Sequence, residues 1–299
     1  MSTVRHLLSI DDLAEAEVWS VLERASAFSN GKSTHAPREL YGERVVGTLF
    51  LSSSTRTRVG FEVAAQRLCA RTVSITQMRY DDRMSGAESV ADALRVVSGM
   101  VDVLVCRGPV VLAAEAAAGP ALCPILNGGD RQEHPSQALI DLAAIQQWIG
   151  PHNEARVLIL GDLTMRASRS LLGLFARFPP ADLLLCAPPS RRDLGSMIAA
   201  DRVTWIEPED IKDVDVVIVT GLAPGVGHGA IPERERRRYS ITLDLLTRLP
   251  SHALIHSPMP VIDEICPEGR SDPRNRMFEA SDLAVGVRMA LLELLLAES

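Results

Sequence analysis

RVVGTLFLSSSTRTRVGFEVAAQRL, residues 44–68, joins an apolar run to a helical pattern through a turn rich in hydroxyl groups. Residues 44–51 predict a buried strand, and residues 58–69 predict a helix. Ser52 to Thr57 then form the turn between them. A strand that leads through a tight turn into a helix is the unit that α/β folds repeat.

The same alternation continues along the chain. Apolar runs rich in Val, Leu and Ile alternate with helical patterns, which predicts parallel sheets built from βαβ units. Strands are expected in the first half at 44–51, 71–76, 101–106 and 122–126. Beyond the polar connection at Gly150-Pro151, strands are expected at 156–160, 182–187, 203–206, 214–220 and 253–256. Residues 88–99 and a largely apolar stretch at 282–297 predict helices. We therefore expect an α/β fold with two doubly wound parallel-sheet domains.

Composition limits the classes of partner. The chain has 299 residues, 46% of them apolar, which is enough for a sizeable core and favours two domains. Its formal net charge of -7 disfavours a nucleic-acid or anionic-membrane surface. Five irregularly spaced cysteines make a poor disulfide framework. No apolar run approaches the ~20 residues of a membrane span. The expectation is a soluble, cytoplasmic protein.

The hydroxyl-rich turn has the chemistry of an anion site. The first N–H groups of a helix lack partners within the helix, and Ser54 or Thr55 is available as the cap. The helix dipole favours negative charge there, and Arg56 and Arg58 add bidentate donors suited to phosphate or carboxylate. The alternative is an ordinary capped helix with two solvated arginines.

Three further polar clusters follow predicted strands or loops. Residues 107–109 (RGP) follow one strand, and residues 256–260 (HSPMP) end another. His134 precedes Pro135, a residue suited to the first helical turn, so His134 and Gln137 are expected about one turn apart. Ligands of open α/β sheets bind beyond the carboxyl ends of the strands, so we expect these clusters to face one crevice. Each also has an ordinary structural explanation as a loop residue or strand end.

These motifs resemble those of the aspartate and ornithine carbamoyltransferase family, and the chain is nearer the aspartate branch. The resemblance rests on four motifs in the family's order: STRTR at 54–58, HPSQALIDL at 134–142, GDLTMRASRS at 161–170 and SPMPVIDEI at 257–265. It implies a carbamoyl-phosphate domain at 1–133, with the C-terminal helix 282–299 packed back on it. It also implies an amino-acid domain at 134–281 and helices that bridge the two domains.

The resemblance implies a role for each motif. The phosphate of carbamoyl phosphate would be held by Ser54, Thr55, Arg56 and Thr57. The carbamoyl group would be held by Arg107, His134 and Gln137, with backbone carbonyls near Met259 and Pro260 completing the site. Carbamoyl transfer builds negative charge on the carbonyl oxygen, so preorganised donors stabilise the transition state. The expected catalytic donors are Arg56, Thr57, Arg107 and His134. No cofactor is expected, and no His/Cys/Asp spacing indicates a metal site.

The family also implies a homotrimer, in which a loop of the neighbouring subunit enters each active site. The matching segment is 79–96, but the family's loop lysine is missing, and the chain has only Lys32 and Lys212. Arg83 is a candidate replacement cation and Ser85 a candidate hydrogen-bond donor, although arginine and lysine are not equivalent at such a site. The alternative is a polar loop without a catalytic role.

The second-substrate motifs depart further from the family. The arginine and glutamine of the aspartate branch's TRVQ-type segment are replaced by Thr220 to Ala223, TGLA. The ornithine branch's HCLP-type motif is replaced at 256–260. Arg166 remains and favours a carboxylate-bearing acceptor. His228 and the charged run 233–238 are candidates for shaping a new pocket, although such a run is usually a solvated helix face.

Three hypotheses follow from the residues and the resemblance. The first is a carbamoyltransferase whose amine or amino-acid acceptor is neither aspartate nor ornithine. The second is a catalytically inactive relative that serves as a structural or partner subunit. The third keeps the phosphate pocket but transfers or cleaves another group.

Overall fold

A computed structural model describes residues 4–29, 41–76, 88–194, 197–223 and 231–297. The chain divides into two compact units, Met1–Leu139 with Leu283–Ser299 (unit one) and Ile140–Asp282 (unit two). The sequence places these boundaries after residues 133 and 281. Over the described ranges, no helix combines the length and apolar character needed to cross a membrane.

Unit one contains a four-stranded parallel sheet in the order β2-β1-β3-β4. Its strands are β1 (Val45–Phe50), β2 (Arg71–Ile75), β3 (Val103–Arg107) and β4 (Ile125–Asn127). Its helices include α1 (Glu15–Ser29), α2 (Thr55–Arg67), α3 (Val90–Val97) and α4 (Leu112–Ala118). The central strand β3 is buried along its whole length, as expected for a parallel strand covered on both faces.

Unit two contains a five-stranded parallel sheet in the order β7-β6-β5-β8-β9. Its strands are β5 (Arg156–Gly161), β6 (Asp182–Cys186), β7 (Thr204–Trp205), β8 (Val216–Thr220) and β9 (Leu254–His256). The helices from here on are α5 (Pro135–Trp148), α6 (Arg166–Arg177), α7 (Glu233–Arg238), α8 (Leu243–Arg248), α9 (Pro267–Arg270) and α10 (Met277–Leu296). Both unit boundaries fall inside helices, α5 and α10.

Each sheet has one point at which the strand order reverses direction. In unit one the chain proceeds from β1 to β2 on one side and to β3 and β4 on the other, so the switch point lies between β1 and β3. In unit two it lies between β5 and β8. Loops leaving two such neighbouring strands diverge to opposite faces and open a crevice at the carboxyl edge of the sheet, where α/β proteins bind ligands.

The predicted α/β class and all nine predicted strands are confirmed. Two helix starts differ from expectation. Helix α2 begins at Thr55, so Thr55 to Thr57 form its first turn instead of the preceding loop. Helix α10 begins at Met277, whose N–H donates to Asn275 Oδ1 at 3.1 Å. Residues 233–238, the charged run, form the exposed helix α7, and residues 224–230, with His228, lie outside the described residues.

Candidate active site

The turn after β1 forms a pocket at an uncapped helix start. Ser54 occupies the N-cap position of α2 with an extended backbone, but its side chain makes no capping hydrogen bond. Of the two residues that the sequence offers as the cap, Ser54 therefore takes the position without the capping bond, and Thr55 is the first residue of the helix. The pocket has a volume of about 260 Å³ and is lined by Phe50, Leu51, Ser52, Ser53, Ser54, Thr55, Arg58 and Thr76. Because the cap is empty, the first-turn N–H groups remain available to an anion at this wall.

Arg107 lies on the other side of the switch point, at the end of β3. Its backbone carbonyl accepts from Leu51 N at 2.8 Å, which ties the ends of β1 and β3 together. The Arg107 side chain is 7% exposed, and its Nη1 donates to the carbonyl oxygen of Gly128 at 2.9 Å. A strand end therefore holds one guanidinium in a fixed, largely buried position.

His134 contacts the same guanidinium. Its Nε2 lies 3.4 Å from Arg107 Nη1, and its Nδ1 lies 3.4 Å from Ser136 Oγ. Each ring nitrogen donates or accepts according to the tautomer, so the imidazole can present an N–H donor beside the guanidinium. Gln137 follows in the first turn of α5, where its N–H donates to the His134 carbonyl at 2.9 Å. Unit one thus brings Arg107, His134 and the start of α5 into one cluster.

Gly129 makes this close approach possible. It has a φ of +107°, and a Cβ built there would lie 2.4 Å from Arg107 Nη1 and 2.8 Å from His134 Cδ2. Asp130 fixes the loop that follows by accepting from the N–H groups of Gln132 and Glu133 at 2.7 and 2.6 Å. Gly129 is not among the residues predicted from the sequence, although the doubled glycine of NGGD is a visible signal.

Cys106 adjoins Arg107 but is not a candidate nucleophile. Burial, reinforced by the negative charges of Asp130 and Glu115, raises the pKa of its thiol to about 12. The thiolate is the reactive form of cysteine, so this side chain acts as a small apolar residue. Cys106 therefore contributes packing to unit one and no nucleophile.

Arg288 is a further residue of this region that the motifs do not predict. It lies on α10, 5% exposed, and its Nη1 donates to the carbonyl oxygen of Arg56 at 3.2 Å. Its guanidinium also lies over the Phe61 ring, 5.3 Å from the centroid. Burial, together with the charges of Arg107 and Arg56, lowers the pKa of Arg288 to about 10. The only signal in the sequence is one arginine inside the apolar run DLAVGVRMALLELLL.

The remaining predicted residues belong to unit two or lie outside the described chain. Arg166 is half-buried at the start of α6, in the segment that follows β5. Met259 and Pro260 lie in the loop after β9, where Met259 N donates to Ser257 Oγ at 3.1 Å. Arg83 and Ser85 lie outside the described residues. The convergence of all the clusters on one crevice stays a prediction.

His256, the first residue of the HSPMP segment, has a local partner. It is 2% exposed, and its Nε2 lies 2.7 Å from Asp141 Oδ1 in a pair buried on both sides. A histidine and a carboxylate at this distance, both removed from water, form a strong hydrogen bond. This pair ties β9 to α5 within unit two.

A carboxylate lies at the end of β8. Glu264 is 3% exposed, and its Oε2 accepts from the N–H groups of Ile262 and Asp263 at 2.8 and 3.1 Å. Its Oε1 is buried without a hydrogen-bond partner among the described residues. A Cβ built on Gly221, directly after β8, would lie 2.8 Å from the Glu264 Cδ. The glycine therefore lets a negative charge approach the carboxyl edge of this sheet.

The described part of the chain contains no cluster of metal-ligand side chains. No group of three or more His, Cys, Asp and Glu side chains there is arranged to hold an ion.

Comparison with known proteins identifies the family. Residues 5–147 match the model of the aspartate/ornithine carbamoyltransferase carbamoyl-P binding domain. The aspartate carbamoyltransferase catalytic subunit of Archaeoglobus fulgidus is 31% identical over 299 residues, which cover 97% of this chain and 98% of the relative. That of Methanocaldococcus jannaschii is 28% identical over 306 residues, which cover 99% of both chains. The chain belongs to the aspartate/ornithine carbamoyltransferase family, whose members are transferases.

Solved structures agree. The catalytic subunit of M. jannaschii aspartate transcarbamoylase superposes with a TM-score of 0.82 at 27% identity and covers 99% of both chains. Ornithine carbamoyltransferase from Pyrococcus furiosus gives a TM-score of 0.84 over 100% of this chain and 99% of that one, and at 24% identity it supports the fold alone. The predicted closeness to the aspartate branch is confirmed.

Proposed function

We propose that the protein transfers the carbamoyl group of carbamoyl phosphate to the amine of an acceptor other than aspartate or ornithine. One observation carries the proposal. The uncapped start of α2, with its 260 Å³ pocket, and the Arg107–His134 pair lie on the two sides of the switch point of unit one. The first offers donors to a phosphoryl group and the second offers donors to a neighbouring carbonyl.

The phosphate end of the substrate lies at the start of α2. Backbone N–H groups of the first turn and the side chains of Ser54, Thr55, Arg56 and Thr57 surround the phosphoryl oxygens. The positive end of the helix dipole and the arginine both favour this dianion. The same contacts stabilise the phosphate as it departs, so they assist the chemical step as well as binding.

The carbonyl end faces Arg107 and His134, with Gln137 beside them. When the amine nitrogen attacks the carbonyl carbon, negative charge collects on the carbonyl oxygen. Donors already held in place stabilise that charge without reorganising, which is the main source of rate enhancement in acyl-type transfer. The bond from carbon to the phosphate oxygen then breaks, and the departing phosphate takes up the proton that the amine loses.

The acceptor side of the proposal concerns unit two. Arg166, at the start of α6, supports one carboxylate on the acceptor because a cation and a helix start both favour it. The segment after β8, Gly221 to Ala223, has no side-chain donors, and the Glu264 carboxylate lies against Gly221. A second carboxylate at this position would meet a like charge. These features support an acceptor with fewer than two carboxylates, although the relatives are named for aspartate.

The assembly is part of the proposal. We expect a homotrimer in which residues 79–87 of one subunit, including Arg83 and Ser85, reach the phosphate of the next. All five cysteines are free thiols. This supports the proposal that the protein works in a reducing compartment such as the cytoplasm.

Phosphate release from carbamoyl phosphate, measured with a panel of amines and amino acids, tests the activity. We expect turnover with at least one acceptor and a loss of about 100-fold or more in kcat for Arg56→Ala. Arg67→Ala, which changes an exposed arginine at the other end of the same helix, is the matched control and should retain activity. No turnover with any amine, together with no binding of a phosphonate analogue of carbamoyl phosphate, would contradict the proposal.

The second candidate function is a catalytically inactive partner subunit. The missing lysine of segment 79–96 favours it, because that cation is expected to neutralise the phosphate. In that case Arg56→Ala would leave the biological role intact. Loss of the biological role in Arg56→Ala cells with a normal amount of folded protein would reject this alternative.

A further inference from the structure

Arg288 is a buried cation without a carboxylate partner among the described residues. Its guanidinium donates to the Arg56 carbonyl from Nη1, and its Nε is buried with no hydrogen-bond partner there. The charged groups that act on it most are Arg107 and Arg56, and both are positive. A buried charge is normally paired, since removal from water costs free energy that only a partner offsets. This arginine therefore lacks the compensation that its burial requires.

The surrounding packing is built around this side chain. Gly60 on α2 faces the guanidinium, and a Cβ there would lie 1.8 Å from Arg288 Nη1. The Phe61 ring lies on the same side chain, at 5.3 Å from the guanidinium carbon. Gly60 and the Phe61 ring together form the surface on which the guanidinium packs. A residue larger than glycine at position 60 would collide with it. The position of the cation is set by unit one itself.

The carbonyl that Arg288 holds belongs to the first turn of α2. Arg56 is the second residue of that helix, and its neighbours Ser54 and Thr55 line the 260 Å³ pocket. A donor on the Arg56 carbonyl fixes the orientation of the first peptide groups, whose N–H groups are available to a ligand. Arg288 acts on the pocket through the backbone, without lining it.

We propose that Arg288 is a positioning residue that couples anion binding at the start of α2 to docking of α10 in unit one. It fixes the first turn of α2, and its uncompensated positive charge is offset when a phosphoryl anion enters the pocket. The inference rests on the proposed function only in placing the phosphoryl group at this corner. Because coupling is reciprocal, the anion stabilises the docked part of α10 as much as α10 favours the anion.

The first measurement uses inorganic phosphate as the probe and the full-length wild-type protein. Hydrogen exchange of amides at 283–296 is followed with and without saturating phosphate at constant ionic strength. We expect slower exchange in this segment with phosphate, because a ligand that binds only the docked state stabilises it. Unchanged exchange at 283–296 while phosphate binds would overturn the inference without any variant.

The second measurement compares variants by calorimetric titration of phosphate well below their melting temperatures. Arg288→Met keeps the length of the side chain and removes the charge, so we expect the phosphate Kd to rise at least tenfold. Arg288→Lys keeps the charge and loses the planar donor fork, so we expect it to recover part of the affinity. A purely structural role would give the two variants equal losses.

The matched control acts on the same helix. Arg24 of α1 holds Glu293 of α10 through Nε and Nη2 at 2.6 and 2.9 Å. Arg24→Met should lower the melting temperature and leave the phosphate Kd within about twofold of wild type. A Kd within twofold of wild type for Arg288→Met would overturn the inference and leave the proposed function standing. Failure of wild type to bind phosphate would overturn the inference, whereas the proposed function is tested separately by turnover and by binding of the phosphonate analogue.

Discussion

At the scale of single residues, the candidate site depends on close contacts that only particular neighbours allow. Arg107 and His134 approach each other across Gly129, whose positive φ and lack of a side chain both matter. Left-handed backbone costs an L-residue about 1 kcal/mol, and a Cβ at 2.4 Å from a guanidinium nitrogen requires the guanidinium to move. The geometry of two expected catalytic side chains therefore depends on one glycine.

A comparison of Gly129→Ala with Gly150→Ala should separate the cost of backbone strain from the effect on the Arg107–His134 contact. Gly150 has a similar φ of +114°, but a Cβ there meets nothing within 4 Å. We expect Gly150→Ala to lose about 1 kcal/mol of unfolding free energy in chemical denaturation, and Gly129→Ala to lose more, because its Cβ also displaces a buried guanidinium. Gly129→Ala should additionally lose about 100-fold in kcat, because Arg107 is displaced. Equal activity of the two variants would show that the Arg107–His134 contact is not needed.

Glu264 gives a prediction about the acceptor. L-Aspartate, L-asparagine and L-2,4-diaminobutyrate have four carbons each and carry a negative, neutral and positive side-chain end. We expect wild type to use aspartate least well, and Glu264→Gln to raise kcat/KM for aspartate about tenfold relative to the other two, since a like charge is removed. Glu268→Gln changes an exposed acid of the neighbouring helix α9 and should have no such effect. A wild-type preference for aspartate that survives Glu264→Gln would contradict this interpretation.

At the scale of elements, the helix starts differ in what their caps do. Ser89 accepts from Asp92 N at 3.0 Å and caps α3, whereas Ser54 at the same position of α2 makes no capping bond. The capping bond of Ser89 thus stabilises α3. In α2 the first-turn N–H groups remain available for a ligand.

Ser54→Ala and Ser89→Ala form a matched pair within unit one. Ser89→Ala should lower the free energy of unfolding by about 1 kcal/mol, the usual worth of a cap, and leave phosphate binding unchanged. Ser54→Ala should leave unfolding nearly unchanged in denaturant titrations and weaken phosphate binding, because the hydroxyl is lost from the pocket wall. A stability loss in Ser54→Ala as large as in Ser89→Ala would mean that Ser54 is an ordinary cap.

Elements were predictable from sequence because buried parallel strands are short apolar runs, and β1, β3, β5 and β8 all are. The corner after β1 was predictable because hydroxyls and arginines stand next to each other in the chain. Glu264 and Arg288 were not, since their roles come from contacts with residues distant in sequence. Arg288 lies 232 positions from the carbonyl that it holds. Sequence patterns therefore predict sites whose residues are neighbours in the chain, whereas contacts between distant residues require the structure.

At the scale of the whole molecule, the chain has two parallel sheets, each with its own switch point. It belongs to a family named for carbamoyl transfer. Unit one carries the motifs that the family resemblance assigns to carbamoyl phosphate, and the proposed change of acceptor concerns unit two. A protein of this kind can retain the activated donor while its acceptor changes, because the two sets of contacts come from separate sheets. The proposed homotrimer adds the segment 79–87 to the donor side.

A crystal structure with a phosphonate analogue of carbamoyl phosphate tests the central claim most directly. We expect the phosphonate group at the start of α2, within hydrogen-bond distance of the N–H groups of residues 55–57, and the analogue's carbonyl facing Arg107 and His134. An analogue bound elsewhere on the protein, or a start of α2 that stays empty at saturating analogue, would contradict it.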